Sequence, residues 1–404
     1  MDVGADPITP GVAKQKGAHA ATGTQPLTAP GDLTCIGVEE EFHVVDLVSR
    51  ELVARGPAVL ERLPADDYSH ELHSSVVESN TAVCDDLAGL RHELVRTRRT
   101  LVTVAHELGL GIAAAGTVPL VDPLRLAVTP SSRYERMLDD YQLLVREQLI
   151  CGTQVHVQVS DRDTAVAIAQ RVTPFLPVLL ALSTSSPYWM GEDSGYASTR
   201  SLMWQRWPTA GLSGVIGSAA EHDALVADLI ASETITDAKM IYFDVRPSSH
   251  VPTLELRIPD ACTDIDDVIL LTGLFRALVR QQHGAITRGE PAQHHAAPLL
   301  RSALWRAARS GLEGNLVDLP YAPRPVPAAT AAMKLVEDLY PHLEAAGDAD
   351  LVARLVATSL ARGSSAALQR AAYQRRGRLA DVVDVILRRT DPDGDHVRET
   401  AASL

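Results

Sequence analysis

Two glutamates and a histidine occupy alternate positions in the segment Gly37-Val38-Glu39-Glu40-Glu41-Phe42-His43. On a β-strand the side chains at i and i+2 share a face. Glu39, Glu41 and His43 therefore project together, while Val38, Glu40 and Phe42 project to the other side. Two carboxylates beside an imidazole are costly to bury without a counter-charge. A divalent cation is the natural partner, since Mg2+ takes oxygen ligands and bridges to substrate phosphates.

The same alternation recurs along the chain. Gln154, His156 and Gln158 share a face opposite Val155, Val157 and Val159. Tyr242, Asp244 and Arg246 share one opposite Ile241, Phe243 and Val245, and Glu255 and Arg257 share one opposite Leu254, Leu256 and Ile258. Residues 74–80 add Glu78. A solvated sheet face is the ordinary alternative for any one of these strands. Such faces usually carry Thr, Ser and Lys, with Lys guarding edges, and Lys is absent from all five segments. Glu, His, Gln, Asp, Tyr and Arg instead suit metal binding, phosphate neutralisation and hydrogen bonding to a polar substrate.

The elements that must position these residues follow from periodicity. Strands are expected over 35–45, 111–119, 152–160, 240–246 and 252–258. Helical spacing of apolar residues runs over 86–110, 132–149 and 163–184, with Pro174 and Pro177 breaking or kinking the last. Residues 186–215 show neither period and hold three of the four tryptophans. They read as a covering loop or as a substrate wall or lid, with Arg200 facing a carboxylate. From Asp264 onward the pattern is helical, interrupted once by a Pro-rich stretch over 320–327. Strands early and helices late predict an α+β protein with a mainly antiparallel sheet. No glycine-rich phosphate loop is present, so any nucleotide must be held in another way.

Residues 1–32 are rich in Gly, Ala, Thr and Pro and are expected to form a disordered tail. Residues 33–390 are expected to form a single catalytic domain, and 391–404 a polar C-terminal tail. The formal charge of −14 argues against a broad nucleic-acid surface, although a local arginine cluster or a cation can reverse the field inside a pocket. Cys35, Cys84, Cys151 and Cys262 are too sparse for a disulfide scaffold. No secretory signal is evident, and no apolar run is read as reaching membrane-spanning length. The expectation is a cytoplasmic protein with reduced thiols and no membrane partner. For its assembly, a homodimer is expected.

Five segments, in order, resemble the carboxylate–amine ligases of the glutamate–cysteine ligase type 2 family. They are Gly37-Val38-Glu39-Glu40-Glu41-Phe42; Gly152-Thr153-Gln154-Val155-His156-Val157; Ala181-Leu182-Ser183-Thr184-Ser185-Ser186-Pro187-Tyr188-Trp189; Phe243-Asp244-Val245-Arg246-Pro247 with Thr253-Leu254-Glu255-Leu256-Arg257; and Arg309-Ser310-Gly311-Leu312-Glu313-Gly314. The resemblance spans roughly residues 35 to 390. It implies a fold like that of glutamine synthetase, a curved antiparallel sheet in a helical shell. It also implies ATP and Mg2+ as cofactors, and small-molecule acid and amine substrates joined through an acyl phosphate.

Carried onto this sequence, the resemblance makes Glu39, Glu41, Glu78, His156 and Glu255 metal ligands, with His156 alternatively touching a phosphate oxygen. Arg257 and Arg309 become candidates for the transferred phosphoryl group, and Arg246 for that group or a substrate carboxylate. Each arginine could instead close a structural ion pair. Gln154, Gln158, Arg200, Tyr188 and Trp189 become candidate substrate or ATP contacts. The nominal activity is glutamate plus cysteine to γ-glutamylcysteine. A ligase for another acid and amine, a guanidino-kinase-like phosphotransferase and a catalytically dead binding protein remain alternatives.

Overall fold

The computed structural model describes residues 33–394. The expected tail over 1–32 and most of the polar segment 391–404 lie outside the described residues. One antiparallel sheet organises the rest. Its strands are β1 (Ile36–Asp46), β2 (Tyr68–His70), β3 (Val76–Asn80), β4 (Leu110–Ala113) and β5 (Thr153–Gln158). After a short hairpin, β6 (Tyr188–Trp189) and β7 (Glu192–Asp193), the sheet is completed by β8 (Val245–Pro247) and β9 (Thr253–Leu256). The order across it is β2-β3-β1-β5-β9-β8, and β4 pairs with the far half of β1.

The valines and leucines that alternate with the polar residues account for the packing. Ile36, Val38, Val155, Val157, Leu254 and Leu256 are buried in one cluster with Val268, Leu271 and Phe275 of the long helix Ile265–Thr287. Further along β1, Phe42 and Val44 pack with Leu101 and Ala105 of the helix Leu87–Glu107. That helix begins at Asp86, whose carboxylate accepts from the Gly89 N–H at 2.7 Å, a standard N-cap. Helices thus cover the apolar face and leave the other face for polar side chains.

Glu40, on the helix-covered face, is met there by a cation. Its carboxylate takes a bidentate pair from Arg98, at 2.6 Å and 3.1 Å, and Arg98 also donates to the carbonyls of Cys262 and Thr263. Both side chains are sealed from solvent. Removing one partner of such a pair strands the other charge, at a cost of about 3–5 kcal/mol. Glu40→Leu is therefore expected to lower the urea midpoint of unfolding sharply while leaving divalent-cation affinity at the wild-type value. A metal-binding defect in folded Glu40→Leu would show that the β1 alternation has been misread.

Three expectations are corrected. The strand expected over 240–246 pairs only from Val245, because Ala238–Met240 forms a 3-10 turn that offsets the ladder. The loop over 186–215 contains the β6–β7 hairpin and a helix, Thr199–Trp204, capped by Ser198. The run Arg162–Ser183 is long and apolar enough to cross a membrane by length and composition. Here it is broken at Thr173–Phe175, ahead of Pro177, into two helices whose apolar side chains are buried in the core.

Candidate active site

Strand register assembles the polar face row by row. Glu41 stands opposite Glu78 of β3. On the β5 side the Glu41 N–H donates to the Gly152 carbonyl at 3.1 Å. In the next row Glu39 lies between Asn80 and Gln154. In the third, Gly37 faces His156, His156 faces Glu255, and Glu255 faces Arg246. Residues that are far apart in the chain therefore meet as direct or diagonal neighbours across strands.

Two groups of ligand atoms result, each with its members within 4.8 Å of one another: Glu41, Glu71 and Glu78, and Glu39, His156 and Glu255. The first holds three acids in one place. Burial pushes the Glu78 carboxyl up to about 7, with the charges of Glu39 and Glu41 adding to it. Burial followed by the Glu78 and Glu41 charges drives Glu71 well above the usual carboxylate range. Burial also raises Glu41, although Arg200, the Gly152 N–H and Arg257 oppose it. Three carboxylates so placed cannot all ionise without a cation.

The second group is differently balanced. Burial would lower the His156 imidazole, but the hydrogen bond and charge of Glu39 together with the charge of Glu255 hold it above its ordinary value. His156 Nε2 lies 3.2 Å from Glu39 Oε1, and Nδ1 lies 2.9 Å from Thr253 Oγ1. Burial would raise Glu255, but Arg257 and Arg246 outweigh it and keep the carboxylate far below its usual range. Arg246 Nε donates to Glu255 at 2.8 Å, and Arg257 Nη1 donates to both Glu255 and Gln154.

The donor chemistry separates the two groups as metal sites. An all-carboxylate set fits Mg2+, which prefers hard oxygen ligands, and Glu41, Glu71 and Glu78 supply it. Glu255 already neutralises two guanidinium groups, and His156 is a softer donor. This second group accordingly fits Mg2+ less well, and it suits charge pairing around a phosphate better.

The first group, and Glu39 of the second, line one cavity of about 380 Å3. Its walls include Arg200, Trp204, Trp207, Tyr242 and Tyr134. Arg200 reaches it over the backbone of Gly152, where a β-carbon would fall 2.9 Å from the guanidinium carbon. Only glycine leaves that passage open. Arg200 then donates to the carbonyls of Ile258 and Arg257 at 3.0 Å and 3.1 Å. A second cavity of about 490 Å3 shares Arg246, Ser249 and His250 with the first.

Of the residues singled out from sequence, Glu39, Glu41, Glu78, Gln154, Arg200, Arg246 and Arg257 line the main cavity. His156 and Glu255 adjoin it through the pairs described. Four others lie elsewhere. Tyr188 is buried against Tyr373, with ring centroids 5.8 Å apart, and Trp189 follows it in the β6–β7 hairpin. Their apolar rings are used in packing. Gln158, at the end of β5, donates to Ser160. Arg309 stacks on Tyr196 and lines a separate groove with Glu313 and Arg370. Arg246 is held by Glu255 and by the carbonyls of Ile241 and Lys239, so it closes an ion pair as well as lining the cavity. His43 shares a face with Glu41 but lies beyond the cavity. There burial lowers its imidazole to about 4, with the backbone at Gly116 and Ala115 opposing.

Sequence reasoning missed Glu71, Tyr134 and Lys239, all of which line the cavity. Glu71 follows a strand of three residues, too short for alternation to register. Its only signal is the polar run Ser69-His70-Glu71.

Known proteins resemble this chain in sequence and in fold. A family model described as glutamate–cysteine ligase family 2 matches residues 35–385. A Frankia alni protein named "Putative glutamate–cysteine ligase 2-3" is 55% identical over 88% of this chain and 41% of its own length. A Mycolicibacterium smegmatis protein named "Putative glutamate–cysteine ligase 2-2" is 53% identical over 88% of this chain and 89% of its own. The chain thus spans less than half the length of the first of these relatives. Among solved structures, a glutamate–cysteine ligase from Francisella tularensis in complex with AMP aligns with a TM-score of 0.65 at 14% identity, covering 90% of this chain and 89% of that one. A bifunctional glutathione synthetase from Pasteurella multocida aligns at 0.62 and 14%, covering 88% and 52%. At such identity the likeness speaks to the fold alone, an α+β fold of the glutamine synthetase type.

Proposed function

Because the chain belongs to glutamate–cysteine ligase family 2, we propose that it is an ATP-dependent carboxylate–amine ligase working through an acyl phosphate, nominally joining glutamate to cysteine. The observation that carries this reading is the placement of an all-carboxylate cluster and a pair of arginines on one sheet face, opening into one cavity. Phosphoryl transfer to a carboxylate needs both: negative groups to hold a cation, and positive groups where charge develops on the moving phosphoryl.

In this reading Glu41, Glu71 and Glu78 would hold Mg2+, which would supply charge neutralisation for the ATP phosphates. Arg257 faces the transferred group. Glu255 and Gln154 fix its guanidinium through Nη1, and Arg246 anchors Glu255 in turn. His156, engaged by Glu39 and Thr253, adds positive charge beside the phosphates, in keeping with its raised pKa. Trp204, Trp207 and Tyr242 wall the cavity and keep water from the acyl phosphate. The adjoining cavity, entered past Arg246, gives room for the rest of the nucleotide or for the amine.

Incubation with ATP, Mg2+, glutamate and a panel of amines tests the reading. Amine-dependent release of phosphate with formation of an amide is expected, and hydroxylamine should trap the activated acid as a hydroxamate. A stable phosphorylated product without free phosphate would mean a phosphotransferase instead. No amine-dependent release across a broad acid panel would overturn the ligase assignment.

A further inference from the structure

Behind the wall of the main cavity is a small enclosed space lined by Asp244, Arg200, Ser201, Trp204, Gln205, Leu180 and Ile258, with a volume of about 10 Å3. That is room for one water and no more. Three of the residues around it carry buried polar atoms with no hydrogen-bond partner in the protein: Asp244 Oδ2, Arg200 Nε and Trp204 Nε1. All three side chains are more than nine-tenths buried. An unpaired polar atom in such a setting costs about 1–3 kcal/mol, and three such atoms on residues that line one space are accounted for by a common partner. Two are donors and one is an acceptor. A water molecule accepts twice and donates to the carboxylate, whereas a cation would face two donors and an anion would face Asp244.

We propose that Asp244 is a positioning residue of the active site, joined through one buried water to Arg200 and Trp204. Its backbone holds it firmly for that task. The Asp244 N–H donates to the Gly211 carbonyl at 2.8 Å, and its carbonyl accepts from the Arg257 N–H at 2.8 Å. What it positions lies on the cavity side. The Trp204 ring has the guanidinium carbons of both Arg200 and Arg257 5.5 Å from its centroid, and it packs at a 52° tilt against Tyr242 with centroids 4.9 Å apart. The indole is thus the shared platform of two arginines that line the main cavity, and the water fixes the edge of that platform. Burial pushes the Asp244 carboxyl up to about 7, with Arg200 opposing, as befits a group that lacks a direct counter-ion.

The structural part of this inference stands without any turnover, while the kinetic part rests on the ligase reading. A crystal structure of the substrate-free wild type is expected to show one water about 3 Å from each of the three atoms. A dry cavity, or Asp244 paired directly to Arg200, would overturn the proposal whatever the enzyme does. In steady-state assays Asp244→Leu is expected to lower kcat about 30-fold with KM for ATP near the wild-type value, because a misplaced Arg257 is felt at the transition state. Asp244→Asn, which keeps an acceptor, is expected to restore most of that loss. Equal falls in both variants, or a change confined to thermal stability, would reduce Asp244 to a structural residue. Should Asp244→Leu fail to fold, Trp204→Phe removes the indole N–H together with part of the ring platform, and wild-type kcat in that variant would sink the idea.

Discussion

Glu41→Gln is expected to lose Mg2+-dependent turnover by about three orders of magnitude, the scale seen when one preorganised charged group is removed from a transition-state site, and yet to melt at a higher temperature than the wild type in the absence of metal. The two effects have one cause. Glu41, Glu71 and Glu78 crowd three acids together; burial raises all three, and the charge of Glu41 raises Glu71 and Glu78 further. An amide at position 41 keeps the shape of the side chain and removes one charge from that crowd. Repulsion falls, so the metal-free protein gains stability, by about 1 kcal/mol or a few degrees in a chain of this size. The same change takes away the charge that a cation needs. Differential scanning fluorimetry with and without Mg2+ separates the terms. The wild type should gain stability with Mg2+, while the variant should start higher and gain little. Wild-type turnover, or an undiminished Mg2+-induced shift, would remove Glu41 from the metal site.

Arg257→Lys is expected to cost about 10^3-fold in kcat, within the range for a guanidinium that stabilises a transferring phosphoryl group. Lysine keeps the charge but not the planar fork. Arg257 binds Glu255 and Gln154 through the same nitrogen, Nη1, which leaves Nη2 for a ligand. A lysine ammonium has to choose between holding Glu255 and reaching a phosphate. The expected signature is a fall in kcat with little change in the KM for ATP. Arg246→Lys is expected to behave otherwise, because Arg246 spends its donors on Glu255 and on backbone carbonyls. Its loss should appear mainly as destabilisation. If the two variants fell equally in kcat and in stability, the division of labour between the arginines would be wrong.

The strand-by-strand alternation makes much of this site legible in the sequence. Placing Glu39 and Glu41 on one face and Glu40 on the other needs only the two-residue period of a strand, and the pairing of Glu40 with Arg98 agrees with it. The same period placed Gln154 with His156 and Glu255 with Arg257. Where the period fails, so does the reading. Residues 241–244 stay off the ladder after the 3-10 turn over Ala238–Met240, so Asp244 does not join Arg246 at the main cavity but stands behind its wall.

The residues around Glu39 and Glu41 are where sequence and tertiary structure divide. Sequence by itself determined which side chains share a strand face, which class of chemistry such a face supports, and that helices must cover its apolar back. Those are local consequences of backbone geometry and hydrophobic burial, and they are written in neighbouring residues. Only the tertiary structure decided which faces meet. Register across β3, β1, β5 and β9 gave Glu41 the company of Glu78 and Glu71, and set Glu255 between two arginines. Removal of Arg309, Tyr188 and Trp189 from the cavity was decided in the same way. Contacts of that kind depend on how distant segments pair and pack, and a one-residue change of register would rearrange them all.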